Sequence, residues 1–309
     1  MLSRIANNLF WMGRYIERAE HSSRFTKVNY FAGLDAPSNI SKDFMVKSLL
    51  KMNAISSNEA ADEEQALMKI GFDRENPNSI INCVISAREN ARSARDIIST
   101  ELWETINRYY HFTIKYDVDS FTKTNLFDFT QRLNEQTSIT KGRIDSTLIH
   151  NETWLIISLG LFTERCTQIL RIIQTKLDDI KLLQKDSPSP ALEAYQVEIM
   201  LRSLEAFDMS RKYYRKSPNL QNSLEFLLLN KKFPRSLSSC ARKVRNHIEN
   251  LAGTQSFGSN TAGFSAGRLA AKLNFLLINE VVEDLDNFIL EIQNDISDIS
   301  GKLISEYFS

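Results

Sequence analysis

Residues 2–30 read LSRIANNLFWMGRYIERAEHSSRFTKVNY, and within them Gly13, Tyr15, Glu17 and Arg18 spell G-x-Y-x-E-R. The same spacing returns at Gly160, Phe162, Glu164 and Arg165 as G-x-F-x-E-R, 147 positions after the first in a chain of 309 residues. Leu2, Ile5, Leu9, Met12, Ile16 and Ala19 recur at steps of three and four, as do Leu155, Leu159, Phe162, Cys166, Ile169 and Ile173. Both stretches are therefore predicted as helices with one apolar face. A glycine inside a long helix costs about 1 kcal/mol relative to alanine, so one at the matched place in each needs a compensating gain, and close approach of a neighbouring helix supplies it. Each glutamate follows its glycine by one turn and so lies beside that crossing. The plain reading of the repeat is a structural ion pair written twice.

A chain of this length can bury a substantial core. It holds only ten glycines and six prolines, with no proline between Asn78 and Ser187, which points to an all-α bundle with long uninterrupted helices. Thirty-eight basic residues balance thirty-eight acidic ones, so there is no bulk electrostatic reason to bind nucleic acid or an anionic membrane. Cys83, Cys166 and Cys240 are odd in number and far apart, which fits neither a disulfide framework nor a zinc site and suits a reducing cytoplasm. The first residues carry no apolar signal core, and no apolar run approaches the ~18 residues that a membrane span needs.

Outward from the first helix, Ser41 is predicted to cap a helix through about Lys51, and Ser56 with Glu59 to open another to about Ile70. Pro77 and Ser79 lead into a helix from Ile80, and Thr100 precedes an aromatic-rich one. Asp119 to Glu135 reads as a helix, Ser138 to about Asp179 as one long helix, SPSP at 187–190 as a hinge, and Ala191 to about Lys216 as a helix beyond it. Pro77, Ser79, Ile80 and Cys83 read P-x-S-I-x-x-C, and Pro234, Ser236, Leu237 and Cys240 read P-x-S-L-x-x-C, 157 positions on. The change of offset from 147 to 157 implies a modest insertion in the second copy. The expected organisation is one domain of two similar halves, about 1–147 and 148–309. A final helix from about Ser265 to Ser305 would carry Phe275, Ile278, Val282, Leu285, Ile289, Ile292, Ile296, Ile299 and Leu303 as a continuous seam and span on the order of 60 Å.

Several constellations bear on chemistry. Glu17, Glu20 and His21 share one helix and suggest a helical-bundle di-iron site, but such sites use Glu-x-x-His pairs from two helices, and the second copy places Gln168 where His21 falls. No metal and no cofactor are expected. Glu20 and Arg24 make a surface ion pair at i, i+4 spacing. Glu17 and Glu164 are the carboxylates to choose for acid–base work, yet no nucleophile or electrophile accompanies them, and Arg14, Arg18 and Arg165 stand ready to neutralise them. These five residues are the candidate ligand or partner site, and Glu17, Arg18, Glu164 and Arg165 are expected to converge near the pseudo-two-fold axis of the halves. Arg211, Lys212, Arg215 and Arg235, with Lys216, Lys231 and Lys232, give the second half a basic face interleaved with Tyr213 and Tyr214. That face suits phosphates or an acidic partner better than nucleic acid. Gly258 and Gly263 have phosphate-loop spacing, but Phe264 stands where that loop needs lysine.

The segments LSRIANNLFWMGRYIERAE, NPNSIINCVISARENARSARDIISTELWETIN and FPRSLSSC, with the final helix, together resemble the alpha-E family of bacterial all-helical proteins, a group of unknown function. The resemblance covers nearly the full length, and its opening motif is specific; NETWLIISLGLFTERCTQIL is the looser match. Members are similar to proteins found alongside, or fused to, a circularly permuted ATP-grasp ligase and a transglutaminase-like peptidase. The resemblance thus implies a helical companion or scaffold in amide or peptide-bond synthesis. The alternative is an enzyme or ligand-binding protein using the repeated Glu-Arg pairs in a cleft between the halves.

Overall fold

The computed structural model describes residues 1–34, 40–56, 60, 62–123, 125–186, 189–254 and 256–308, with the side chains at 123 and 186 left aside. Among the described residues there are fifteen α-helices and no strand. The chain divides into two compact units. The first comprises Met1 and Asn8–Leu161, the second Leu2–Asn7 and Phe162–Ser309.

In the first unit α1 (Ser3–Leu34) is followed by α2 (Lys42–Met52), α3 (Glu63–Gly71), α4 (Ile80–Ser93), α5 (Thr100–Ile114), α6 (Val118–Lys123) and α7 (Leu126–Thr147). Here α2 packs on α3, α3 on α4 and α6, α4 on α5, and both α5 and α6 on α7. Its centre includes Phe129, whose ring lies 4.8–5.7 Å from those of Phe72, Phe112, Tyr116 and Phe121. Edge-to-face pairs at that spacing each add about 0.5–1.5 kcal/mol beyond the area they bury.

The second unit holds most of α8 (Glu152–Asp186), then α9 (Pro190–Ser203), α10 (Phe207–Tyr214), α11 (Leu220–Leu229), α12 (Leu237–Ala252), α13 (Ala262–Phe275), α14 (Ile278–Glu283) and α15 (Leu285–Tyr307). Its neighbours follow the same order: α9 on α11, α11 on α12 and α14, α12 on α13, and both α13 and α14 on α15. Between α9 and α11, α10 packs on both. No described residue between α2 and α3 is helical.

Local turns agree as well. Beyond α2, Ala54 takes a left-handed φ of 57°, and the Ile55 and Ala54 N–H groups donate to Leu50 O and Lys51 O, both at 3.0 Å. Beyond α9, Glu205 has φ 52°, and the Ala206 and Glu205 N–H groups donate to Leu201 O at 2.8 Å and Arg202 O at 3.1 Å. Both are six-to-one Schellman closures made without glycine. At the start of α4 the Ser79 hydroxyl accepts from the Asn82 N–H, and at the start of α12 Ser236 accepts from Ser239. Cys83 Sγ donates to Asn78 O and Cys240 Sγ to Pro234 O. All three cysteines are free thiols and buried.

Helix ends differ from the sequence expectation where uncommon caps are used. Ser41 does cap α2, accepting from Phe44 N. The cap of α3 is Asp62, which accepts from Gln65 N at 2.8 Å; Glu59, expected to close a capping box, lies outside the described residues, as do positions 187 and 188 of the expected hinge. The long helix expected from Ser138 is two helices, because Leu148 turns to an extended ψ of 144° and the Asn151 side chain accepts from Thr153 N to start α8. The helix expected over 191–216 likewise breaks at the left-handed Glu205 into α9 and α10.

The C-terminal run is three helices instead of one spine. Leu276 and Leu277 are extended, and the Leu277 N–H donates to the Glu280 carboxylate at 2.9 Å, which opens α14 afresh. Phe275 and Val282, expected in the seam, are consequently 81% and 45% exposed. Ile278 and Leu285 are half-buried, and Ile289, Ile292, Ile296, Ile299 and Leu303 are buried along α15. Among the described residues no helix is long and apolar enough to cross a membrane.

Candidate functional site

In the first unit α1 and α8 cross with their backbones in contact. A Cβ at Gly13 would run into the Ile157 carbonyl oxygen and come within 3.0 Å of Leu161 N. One at Gly160 would run into the Phe10 carbonyl oxygen and lie 3.2 Å from Arg14 N. Only a hydrogen fits between the two chains at either place, which accounts for both glycines at once.

One turn beyond Gly13 the polar face of α1 is buried. Glu17, Glu20, His21 and Arg24 are each at most 3% exposed. His21 Nε2 lies 3.0 Å from Glu17 Oε1, an arrangement that puts the ring proton on Nε2 if Glu17 is ionised. Arg24 bonds Glu20, and the Lys141 ammonium of α7 bridges the carboxylates of Glu17 and Glu20. The two carboxylates thus meet the Arg24 guanidinium and the Lys141 ammonium. Glu20 and Arg24 pair as their spacing predicts, but inside the protein and not on its surface.

Among the described residues no group of three or more His, Cys, Asp or Glu side chains is arranged to hold a metal ion. The Lys141 ammonium occupies the place between the carboxylates. Lys141 is 121 positions from Glu20 and carries no local signal, so the motif reveals the anions and not their counter-charge.

Arg18 points away from this cluster, donating to Asn78 Oδ1 at 2.8 Å, with its guanidinium 5.7 Å from the Tyr15 ring. Arg14 sits 4.6 Å from the Trp11 ring. Glu164 and Arg165, in the second unit, show the same division of labour. Glu164 is fully buried and accepts from Gln168 Nε2 at 2.8 Å, four residues on, as Glu17 meets His21. Arg165 lies 5.1 Å from the Phe162 ring, three residues back, as Arg18 lies by Tyr15. Each letter of G-x-[YF]-x-E-R thus has a physical role: the glycine admits a backbone, the aromatic ring carries the arginine, and the glutamate is a buried acceptor for the residue one turn on.

The sequence profile of the Alpha-E family, described as a predicted alpha-helical domain with a conserved ER motif, matches residues 1–308. The chain belongs to this family. Glu17-Arg18 and Glu164-Arg165 are the two places where this Alpha-E chain has glutamate followed by arginine in the G-x-[YF]-x-E-R setting. It is 22% identical over 273 residues to uncharacterised proteins of Mycobacterium bovis and Mycobacterium tuberculosis strain CDC 1551, and 21% identical to one of strain H37Rv. Each match covers 81% of this chain and 30% of the relative, so the chain spans less than a third of the length of the curated relatives it matches. No solved structure matches it.

The Phe162 ring also meets Lys243 Nζ at 4.4 Å and stacks on His247 at 5.7 Å. Burial, and then the Lys243 charge, pushes the His247 imidazole down from 6.5 to about 4. The unfolded chain takes up this proton near pH 6.5 and the folded one only near 4, so stability falls as pH drops through that window and levels off below it. After allowance for solvent screening the loss is about 2 kcal/mol. His247→Gln is expected to flatten the profile by that amount, read as the difference between the two proteins in urea titrations from pH 7 to pH 4.

The basic face is built on α10 and on the residues after α11. Arg211 lies 5.5 Å from the Phe207 ring, while Lys212 and Arg215 are exposed. Arg235 is drawn away to Glu205, 2.7 Å off. Tyr213, Tyr214, Glu225, Leu229, Asn230, Lys231 and Lys232 line an open cavity of about 270 Å³.

Proposed function

We propose that this Alpha-E chain is a non-catalytic helical companion of an amide-forming ligase of the ATP-grasp class, working in the cytoplasm beside a transglutaminase-like peptidase. The observation that carries the reading is the length of the relatives, in which the matched region is 30% of a longer protein. A helical domain held in one polypeptide with much additional chain is suited to acting on what that chain does. The motif residues agree with a structural part for this domain, since Glu17, Glu20 and Arg24 are buried and pair with one another or with Lys141. The ligase itself comes from the family resemblance.

We further read the two units as copies of one ancestral unit. Supporting this are the shared order of helix neighbours, the paired Schellman turns at Ala54 and Glu205, and the paired caps at Ser79 and Ser236. From Ala54 to the cap Asp62 is 8 positions, while from Glu205 to the cap Asn219 is 14, and α10 fills the longer interval. On this reading six of the ten residues by which the offset grows fall in that interval.

The test is reconstitution. The tagged chain is expected to co-purify with the ATP-grasp protein of the same organism and to change its rate of ATP turnover, while turning over no ATP alone. Unaided ATP hydrolysis by the purified chain, or indifference of the ligase to it, would overturn the proposal.

A further inference from the structure

Among the described residues several exposed cations pair with a carboxylate one turn away, as Lys47 does with Asp43, Arg132 with Asp128 and Arg202 with Glu198. The basic face departs from that habit. Among the described residues Lys212, Arg215, Lys216, Lys231 and Lys232 are all exposed and none has a carboxylate partner. Five cations gathered about a cavity lined by one carboxylate, Glu225, repel one another, so the patch is a standing cost to the folded chain that an incoming anion would relieve.

The floor of the patch is shaped. Tyr213 is 61% exposed and meets Tyr214 edge to face at 5.0 Å. Leu229 adds an apolar wall, and Lys216 Nζ lies 6.0 Å from the Tyr214 ring. One carboxylate, Glu225, lines the cavity, but the Tyr214 hydroxyl donates to it at 2.8 Å, and burial together with that bond raises the phenol's pKa so that the proton stays. The backbone donors at the rim are spent, since the Lys232 and Phe233 N–H groups both bond Asn230 Oδ1, at 2.9 and 3.0 Å. Phosphate sites rely on free backbone N–H groups arranged as a nest, and none is offered by these two residues. Flexible ammonium groups around an aromatic and aliphatic floor suit carboxylates carried on a chain with an apolar side chain. A nucleic acid is disfavoured by the zero net charge of the whole.

We propose that the cavity between the end of α10 and the residues following α11 docks an acidic segment of a partner protein, its carboxylates on Lys216, Lys231 and Lys232 and one apolar side chain on Tyr213 and Leu229. The proposal deepens the companion reading by naming the surface through which the companion is held, and it rests on that reading for there being a partner. It places the contact on α10, a helix of the second unit with no counterpart among the described residues between α2 and α3, so on the duplication reading the element that departs from the repeat is the one that recruits.

The experiment is fluorescence anisotropy of the full chain with a fluorescein-labelled decapeptide of glutamate and aspartate bearing one central leucine. Binding is expected, weakening steeply between 50 and 300 mM salt. The double variant K231E/K232E should weaken it at least tenfold and Tyr213→Ser several-fold, while Lys42→Glu, on the first unit, should leave it unchanged; circular dichroism verifies that each variant is folded. Absence of binding up to millimolar chain, indifference to K231E/K232E, or displacement by equimolar inorganic phosphate would overturn the proposal. So would a dimer in sedimentation that K231E/K232E dissolves, which would assign the surface to a second copy. The probe contains no ligase, so peptide binding without ligase co-purification defeats only the companion reading, and co-purification that survives K231E/K232E defeats only the surface.

Discussion

Lys141→Met is expected to lower the unfolding free energy by about 3–5 kcal/mol, the cost of stranding charge inside a protein by removing its partner. Glu17 is fully buried and Glu20 nearly so, and the Lys141 ammonium lies against both. Without it two buried carboxylates lose a shared cation, while Arg24 stays on Glu20. Methionine preserves the stem of the lysine, so packing is held roughly constant and the loss reports charge. Glu17→Gln in the Lys141→Met background should return a large part of it, because a neutral amide does not need the ammonium. Guanidinium denaturation of the four proteins of this cycle measures the coupling. A loss under ~1 kcal/mol would mean that the 19% exposure of the Lys141 side chain is enough for water to screen the cluster as it screens surface pairs.

The second large effect lies at the crossing. By helix propensity alone Gly160→Ala would stabilise α8 by about 1 kcal/mol. The new methyl would instead meet the Phe10 carbonyl oxygen and lie 3.0 Å from its carbon, atoms that cannot rotate aside as a side chain can. Relief requires the two helices to part, which also loosens the contacts flanking the crossing. A net loss of about 3 kcal/mol is expected, at the upper end of overpacking effects, and Gly13→Ala should behave alike. Gly142→Ala and Gly301→Ala are the matched controls, in helices with open space where the methyl would go. Both should gain up to about 1 kcal/mol. Equal signs at all four glycines would refute the account of the crossing.

The sequence was most legible where a residue type has few reasons to occur. Mid-helix glycines recurring with the same spacing announced a close approach, and Gly13 and Gly160 meet each other's helices. Serine before an apolar run announced the cap at Ser41. Legibility failed where one pattern serves two environments. Glu20 and Arg24 have the same i, i+4 spacing whether water or protein surrounds them, and only the third dimension buries them. The apolar period of residues 265–305 continues in phase across Leu277, so periodicity could not reveal a break made by the Glu280 carboxylate turning back on a backbone N–H. Lys141 was invisible because a counter-charge brought in by tertiary folding has no fixed distance in sequence.

The crossing of α1 and α8 has one more consequence. Its contact is made of carbonyls, amide nitrogens and Cα hydrogens, groups that every amino acid carries, so the joint itself dictates two letters of the sequence and leaves its neighbours negotiable. Side-chain interfaces must change in compensating pairs as a lineage drifts, whereas a joint of this kind tolerates replacement around it one residue at a time. Proteins that agree at only about one position in five, as this chain and its mycobacterial relatives do, could diverge that far while the two helices continue to meet at the same place.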